Sequence, residues 1–165
     1  MIICVGGAVL DRKYRARAPI VAATSNPADG FRSFGGVGRN ICENLARLGA
    51  ETGFVSVVGD DENGRAIIDH LKRAGADTRH VGFSGRFPTA EYVAVLEPTN
   101  DLALGIADMS IFEELGPLAL APALTQAKAG DWVLFDCNLP QETIEWLAGE
   151  RGKAGFRLAC DTVST

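Results

Sequence analysis

The chain has 165 residues, 47% of them apolar, and its 16 basic and 21 acidic side chains give a formal net charge of −5. This length and apolar content suffice for one globular domain, and the acidic balance argues against a nucleic-acid partner. No apolar run reaches the roughly 20 residues of a membrane span. The first residues resemble a strand without a charged leader, so we expect a cytoplasmic protein with no membrane partner.

The first half of the chain alternates strand and helix patterns. The run IICV is typical of a strand and ends at a Gly-Gly pair. A helix is predicted within SFGGVGRNICENLARLG, with an apolar face formed by Ile41, Leu45 and Leu48. The strand GFVSVV and a second helix, ended by Gly75, come next. This order predicts a parallel sheet with helices packed on its faces.

The middle of the chain predicts a β hairpin instead. The apolar runs TAEYVAVLE and LALGIA flank the turn sequence PTND, which is typical of two antiparallel strands. We expect strands within about residues 12–34 and 90–106 to form a small antiparallel flap beside the main sheet.

The alternation then resumes. A helical region is predicted from Ile111 to Lys128, broken by Pro117 and Pro122, and is followed by the strand DWVLFDC. A helix over Gln141–Glu150 and the strand FRLAC complete the pattern. We therefore predict one α/β domain over residues 1–165, with a doubly wound (Rossmann-like), mostly parallel sheet, helices on both faces and the flap. The chain ends just past a strand, so we expect this domain to be truncated.

The glycines before the first helix admit several interpretations. A Walker A loop requires a lysine where the chain has Arg39, and a dinucleotide fingerprint requires a third glycine where it has Ile41. What remains is a tight turn at Gly35 and Gly36, where main chain and helix N-terminal amides can approach a ligand. Asn40 would then offer two donors and one acceptor to hydroxyl groups. A turn without a ligand, with Asn40 capping the helix, stays open as the alternative.

The stretch SFGGVGRNICENLARLG and the strand after it resemble the first signature of the ribokinase-like (PfkB) sugar kinases. That signature has two small residues, a short gap and Asn, then one glycine after a helix and another after a strand. The matching residues are Gly35, Gly36, Gly38, Asn40, Gly49 and Gly59. Cys42 departs from the pattern, since the family usually has Ser, Thr or Ala there. The order of elements resembles the family throughout, and GGVGRN, IADM, DCNLP and DTVS resemble its pseudouridine-phosphorylating members.

The resemblance implies a site for a sugar or nucleoside. Asp11 matches an aspartate that accepts hydrogen bonds from sugar hydroxyls, and Asn40 matches an asparagine that binds the same sugar. The residues implied to bind substrate are Asp11, Gly35, Gly36, Asn40, Thr89, Tyr92, Asp108 and Asn138. Asp161 resembles family residues near the phosphate and Mg²⁺, and Asp136 needs polar partners if it is buried. The alternative for each is an ordinary loop or strand-end residue.

The resemblance also implies the reaction. The family transfers the γ-phosphoryl group of ATP, with Mg²⁺, to a sugar hydroxyl that a catalytic aspartate activates in a GAGD-type motif. This chain has no such motif, and its two Gly-Asp pairs, at Gly59 and Gly130, lack the glycine-rich loop. We assign no catalytic residue and no metal ligand within the chain. The catalytic aspartate and the ATP site are expected beyond Thr165, and the 165-residue chain is predicted to be inactive alone.

Three functions remain open. The first is a pseudouridine kinase that phosphorylates the ribose 5′-hydroxyl, of which this chain is the sugar-binding half. The second is a ribokinase- or adenosine kinase-like enzyme with another furanosyl substrate. The third is a truncated, non-catalytic paralogue that binds a nucleoside or only dimerises. Because the flap strands have open edges and the family commonly dimerises through them, we expect a homodimer.

Overall fold

The computed structural model describes residues 1–162 and contains two β sheets. The strands are β1 (Ile2–Val5), β2 (Val9–Ala16), β3 (Ala28–Gly35), β4 (Thr52–Gly59), β5 (Asp77–Ser84), β6 (Glu91–Leu96), β7 (Leu102–Asp108), β8 (Trp132–Asp136) and β9 (Arg157–Asp161). The helices are α1 (Val37–Arg47), α2 (Glu62–Ala74), α3 (Pro117–Leu124) and α4 (Gln141–Ala154), with a 3₁₀ turn at Ser110–Glu114.

The larger sheet is parallel throughout, in the order β5-β4-β1-β8-β9. Its central strands are nearly continuous apolar runs, as expected for strands that are covered on both faces. On one face, Ile67 of α2 and Cys42 of α1 pack against the sheet, and on the other, Leu120 of α3 and Leu147 of α4 do so. The predicted doubly wound α/β fold is confirmed.

The smaller sheet, in the order β3-β2-β6-β7, is the flap. Its two hairpins are antiparallel, but β2 and β6 run parallel where the hairpins meet, so the flap is mixed rather than purely antiparallel. Side chains alternate between its faces. Asp11 and Tyr92, which are register partners, share the face that we call the inner face, whereas Tyr14, Leu104 and Ile106 share the opposite, outer face.

Two local predictions differ from the structure. No strand was predicted at β5, because DTRHVGFS has few apolar residues; β5 lies at the edge of the sheet and pairs only with β4 among the described strands. The predicted break at Pro122 is wrong, because α3 continues through it. Proline removes the hydrogen bond to the carbonyl four residues earlier. That residue, Leu118, is 91% exposed, so water can reach its carbonyl.

Helix α1 packs on the core with two of its three predicted apolar residues, since Ile41 and Leu45 contact the core cluster around Cys42 and only Leu48 does not. Its buried residues are Gly38, Arg39 and Cys42, whereas Leu48 is 83% exposed. Ile41 is only partly buried. Gly38 allows the start of the helix to lie against the main chain of Gly6, in the turn that follows β1.

The last helix is longer than predicted, since α4 continues to Ala154 and ends at Gly155, which has a left-handed φ of 74°. Among the helices of residues 1–162, none is both long enough and apolar enough to cross a membrane.

Candidate functional site

The Gly-Gly turn before α1 packs directly on the turn that follows β1. Gly36 has a φ of 91°, and a Cβ atom there would lie 2.2 Å from the carbonyl oxygen of Gly7. At Gly38, a Cβ atom would lie 2.8 Å from the Cα atom of Gly6. A side chain at either position would clash with main chain, which explains why the sequence has glycine at both.

A buried carboxylate holds these two turns together. Asp136, at the end of β8, has no exposed surface. One of its oxygens accepts hydrogen bonds from the amides of Gly7, at 2.9 Å, and Gly38, at 2.8 Å, and the other accepts one from the amide of Asn138, at 3.0 Å. The expectation that a buried Asp136 needs polar partners is confirmed, and its role is to fix three chain segments at one point.

The same contacts correct one expectation about α1. We expected its N-terminal amides to face a ligand, but the amide of Gly38 donates to Asp136 and that of Arg39 donates to the carbonyl of Gly7, at 3.2 Å. Asn40 does not cap the helix, because the N-cap residue is Gly36. These two amides are already satisfied within the protein and do not form an anion site.

A cavity of about 340 Å³ lies between this turn and the inner face of the flap. Four predicted residues line it, namely Asp11, Gly36, Tyr92 and Asn138. The remaining lining residues are Gly7, Val9, Val37, Met109 and Phe112. The cavity thus combines an acidic group and a carboxamide with an apolar and aromatic wall, a composition typical of small-molecule sites.

Asp11 is the charged group of this cavity. Its carboxylate packs over Gly35, where a Cβ atom would lie 2.3 Å from Oδ2. Burial raises the pKa of Asp11, although the positive charges of Lys13 and Arg39 counteract part of the rise. Among residues 1–162, no hydrogen bond to its carboxylate is formed, so its oxygens can accept hydrogen bonds from hydroxyl groups of a ligand.

Asn40 is exposed and does not line the cavity. It is connected to the cavity through Arg39, whose guanidinium donates to the Asn40 carboxamide oxygen and, at 2.9 Å, to the carbonyl of Gly35. Asn40 and Asp11 therefore flank the same Gly-Gly turn.

Thr89 and Asp108 line a different cavity, of about 250 Å³. The Thr89 hydroxyl donates a hydrogen bond to Asp61 at 2.7 Å and accepts one from the amide of Gly59 at 3.0 Å, so it is already hydrogen-bonded within the protein both as a donor and as an acceptor.

Asp108 is the register partner of Glu91. Glu91 directly precedes Tyr92 on β6 and therefore points to the opposite face, so Asp108 belongs to the outer face of the flap. The structure does not bring Thr89 and Asp108 together with Asp11.

Asp161 ends β9 and is the register partner of Asp136. It lies at the same edge of the sheet as Asn138, but the last two residues of the motif DTVS, Val163 and Ser164, fall outside the described residues. Within residues 1–162, no group of three or more His, Cys, Asp or Glu side chains could hold a metal ion.

Five residues that line the cavity of Asp11 were not predicted from the sequence, and Met109 and Phe112 are the two largest of them. Met109 belongs to the IADM motif that was noted after the hairpin, but only Asp108 of that motif was selected. Phe112 lies in the 3₁₀ turn, where apolar residues follow no periodic pattern, and its ring packs against Gly7, where a Cβ atom would lie 2.7 Å from it.

Known proteins with similar sequences are sugar and nucleoside kinases. The chain is 34% identical over 146 residues to the uncharacterized sugar kinase YeiI of Escherichia coli, covering 88% of this chain and 40% of that protein. It is 27% identical to the pseudouridine kinase of Escherichia coli and 31% identical to a guanosine-inosine kinase of Exiguobacterium acetylicum. Each match covers 88% of this chain. It covers 47% of the pseudouridine kinase and 48% of the guanosine-inosine kinase. The chain thus spans less than half the length of these relatives.

The fold is also similar to that of a solved carbohydrate kinase from Agrobacterium tumefaciens. The TM-score is 0.88 and the identity 27%, over 99% of this chain and 53% of that one. The sequence pattern described as pfkB family carbohydrate kinase matches residues 1–162. The chain therefore belongs to the pfkB family of carbohydrate kinases.

Proposed function

We propose that this chain is the amino-terminal, sugar-binding portion of one ribokinase-like domain, in an enzyme that phosphorylates the ribose 5′-hydroxyl of pseudouridine. The observation that carries the proposal is the shared cavity of Asp11, Gly36, Tyr92 and Asn138. Similarity to a pseudouridine kinase supports the choice of nucleoside. A location in the cytoplasm stays a prediction.

The cavity residues suit a nucleoside in distinct ways. Asp11 accepts hydrogen bonds from ribose hydroxyls, and Asn138 adds a carboxamide that both donates and accepts. Tyr92, Met109 and Phe112 offer an apolar wall against which a flat base can pack while water is excluded. Gly36 allows the ring to approach the main chain closely.

ATP and Mg²⁺ are proposed as the cofactors of the complete enzyme, with ATP supplying the phosphoryl group. Residues 1–162 include no group of three or more His, Cys, Asp or Glu side chains that could hold Mg²⁺, and the Gly38 and Arg39 amides of α1 are already bonded within the protein. Asp161 is proposed to lie near the phosphate. We derive no catalytic step from this chain, and its proposed role is to bind and orient the sugar.

Isothermal titration calorimetry of the 165-residue chain with pseudouridine, free ribose, adenosine and inosine tests the choice of substrate. We expect pseudouridine to bind most tightly and Asp11→Asn to weaken that binding. Tight binding of ribose without binding of pseudouridine would refute the assignment. A parallel assay with ATP, Mg²⁺ and pseudouridine should yield no ADP, and turnover by this chain alone would refute its proposed inactivity.

A different furanosyl substrate is the second candidate, and similarity to a guanosine-inosine kinase supports it. The same titration separates it from the first, because inosine would then bind more tightly than pseudouridine. A non-catalytic nucleoside-binding paralogue is the third candidate. Sequencing the reading frame downstream of codon 165 decides this point, since a continuous frame with a glycine-rich Gly-Asp loop supports an enzyme and a stop codon supports the paralogue.

A homodimer formed through the flap is also proposed. Leu104 and Ile106 are 54% and 55% exposed on its outer face, and the adjacent Tyr14 is 39% exposed. Sedimentation equilibrium should show a dimer that Ile106→Glu converts to a monomer. Leu118→Glu, at a leucine of α3 that is 91% exposed and lies outside the flap, is the control and should leave the dimer intact.

A further inference from the structure

Arg39 is a buried cation whose contacts are concentrated on the Gly-Gly turn. Its side chain is only 5% exposed. The guanidinium donates to two consecutive main-chain carbonyls at the end of β3, that of Phe34 at 2.6 Å and that of Gly35 at 2.9 Å. Gly35 is the residue over which the Asp11 carboxylate packs. Arg39 therefore fixes the segment that supports the acidic group of the cavity.

The same guanidinium determines how Asn40 presents its carboxamide. Arg39 donates a hydrogen bond to the Oδ1 atom of Asn40. A guanidinium has five N–H donors and no acceptor, so only the oxygen of a carboxamide can face it. The amide nitrogen of Asn40 is thereby directed away from Arg39 with both of its donors available.

The opposite end of the guanidinium is held by Glu43. This carboxylate accepts hydrogen bonds from Arg39, from Arg47 at 2.8 Å and from His70 of α2 at 2.9 Å. Burial acts to raise the pKa of Glu43, but the bonds from Arg47 and His70 and the charge of Arg39 outweigh it, so the pKa is lowered. Glu43 thus stays ionised at neutral pH and keeps Arg39 in place.

We propose that Arg39 is a positioning residue, which fixes the Gly35-Gly36 turn and orients Asn40 so that its amide nitrogen donates to a sugar oxygen while Asp11 accepts from a sugar hydroxyl. The proposal rests on the proposed function for the identity of the ligand. In this arrangement the amide nitrogen of Asn40 can only donate hydrogen bonds and the ionised carboxylate of Asp11 can only accept them, and the two groups flank one turn. Because Asn40 does not itself line the cavity, the proposal requires the ribosyl ligand to extend from Asp11 past Gly36 to reach the Asn40 carboxamide.

Lysine cannot replace Arg39 in this role. An ammonium group is a compact point charge, whereas the planar guanidinium donates to two carbonyls, a carboxylate and a carboxamide at once. Arg39→Lys keeps the charge and most of the side-chain volume. It therefore separates the geometry of the guanidinium from its charge.

A double-mutant cycle on pseudouridine affinity tests the proposal. In the wild-type background, Asn40→Ala should weaken binding about tenfold, the effect of losing one hydrogen bond. In the Arg39→Lys background, Asn40→Ala should have almost no further effect, because the carboxamide is no longer oriented. Additive losses would overturn the proposal, since a side chain that only stabilises the fold would produce them. The control is Arg47→Lys, which also contacts Glu43 but does not touch the turn.

A measurement without ligand separates this proposal from the proposed function. In the wild-type chain, NMR should detect a through-hydrogen-bond coupling between a guanidinium nitrogen of Arg39 and the side-chain carbonyl carbon of Asn40. Arg39→Lys should speed amide hydrogen exchange in the Gly-Gly turn, and Arg47→Lys should not. If the coupling is absent, Arg39 is not a positioning residue, even if the variant fails to fold. If the coupling is present but pseudouridine does not bind, the positioning role stands and the proposed function fails.

Discussion

The carboxylate of Asp136 accepts a 2.8 Å hydrogen bond from the amide of Gly38, and so joins the end of β8 to the first turn of α1. The same oxygen also accepts from Gly7, which follows β1. Three segments that are distant in sequence are therefore held at one buried point beneath the cavity. Asp136 thus adds a side-chain link between two turns that are also joined by the hydrogen bond from the Arg39 amide to the Gly7 carbonyl.

Replacing Asp136 with Asn should destabilise the protein by about 2–3 kcal/mol, the usual range for losing a buried hydrogen bond to a charged acceptor. A carboxamide has one acceptor atom where the carboxylate has two, and its NH₂ group would face amides that also donate. Urea unfolding followed by circular dichroism measures the change. Asp29→Asn, at an exposed aspartate bonded to Arg17, is the control and should change stability little. Equal effects of the two substitutions would contradict the buried role.

Gly36→Ala should unfold or severely distort the turn. A φ of 91° is strained for any residue with a Cβ atom, and that atom would lie 2.2 Å from the Gly7 carbonyl oxygen. We expect a loss of about 2 kcal/mol or more in the free energy of unfolding, measured by urea titration.

Gly85→Ala is the control for this substitution, because a Cβ atom at Gly85 meets no atom within 4 Å. It should leave the free energy of unfolding nearly unchanged. If Gly36→Ala were as stable as Gly85→Ala, the turn would not require glycine at position 36.

The sequence predicted the fold well because its central strands are covered on both faces. In strands such as β4, an apolar run broken only by Ser56 is bounded by glycines, and the alternation with helices leaves few possible topologies. The edge strand β5 was missed because a strand exposed on one side needs few apolar residues. The parallel pairing of β2 with β6 was not predicted, because five helices and strands lie between these two strands in the sequence.

The candidate site was less predictable, because its geometry depends on contacts between distant segments. Tyr92 and Asp108 belong to the two strands of one hairpin and were both expected in the site, but the alternation of side chains along these strands puts them on opposite faces. Arg39 gave no sequence signal beyond its place in GGVGRN. Its four acceptors all lie within five residues of it, but of these contacts only the i, i+4 pair with Glu43 can be read from the sequence. The burial of Arg39 and its bonds to two main-chain carbonyls are seen only in the folded chain.

Thr89→Val should lower stability without a selective effect on ligand binding. The substitution removes the hydroxyl that donates to Asp61 and accepts from the Gly59 amide, which costs about 1–3 kcal/mol when the amide is left unpaired. Pseudouridine affinity should stay within about twofold, because Thr89 lies in a different cavity from Asp11. Urea unfolding and calorimetry provide the two readings.

Thr99→Val is the matched control, since the Thr99 hydroxyl bonds an exposed carboxylate, that of Asp101. It should change neither reading. A large loss of affinity in Thr89→Val at unchanged stability would instead make Thr89 a substrate-binding residue.

The pKa of Asp11 predicts opposite effects of its charge on stability and on binding. Burial raises this pKa in the folded chain above the usual value of 3.8, so the folded state binds a proton more readily than the unfolded state does. The resulting stabilisation is fully present below pH 3.8 and is lost as the pH rises through the folded-state pKa. At neutral pH the ionised carboxylate is therefore unfavourable for the fold, although a ribosyl ligand requires it as an acceptor.

Asp11→Asn should accordingly be more stable than the wild type at pH 7, and this difference should vanish as the pH falls below 3.8, where Asp11 is neutral in both states. Its pseudouridine affinity at pH 7 should be about 10- to 100-fold weaker, because hydrogen bonds to a charged acceptor are lost. Wild-type affinity should decline as the pH falls through the Asp11 pKa, whereas that of the variant should not. Thermal unfolding and calorimetry between pH 3.5 and 7 measure both effects, with Asp29→Asn, on the neighbouring strand β3, as the control. A wild-type affinity that is independent of pH over this range would exclude Asp11 as the acceptor for the sugar.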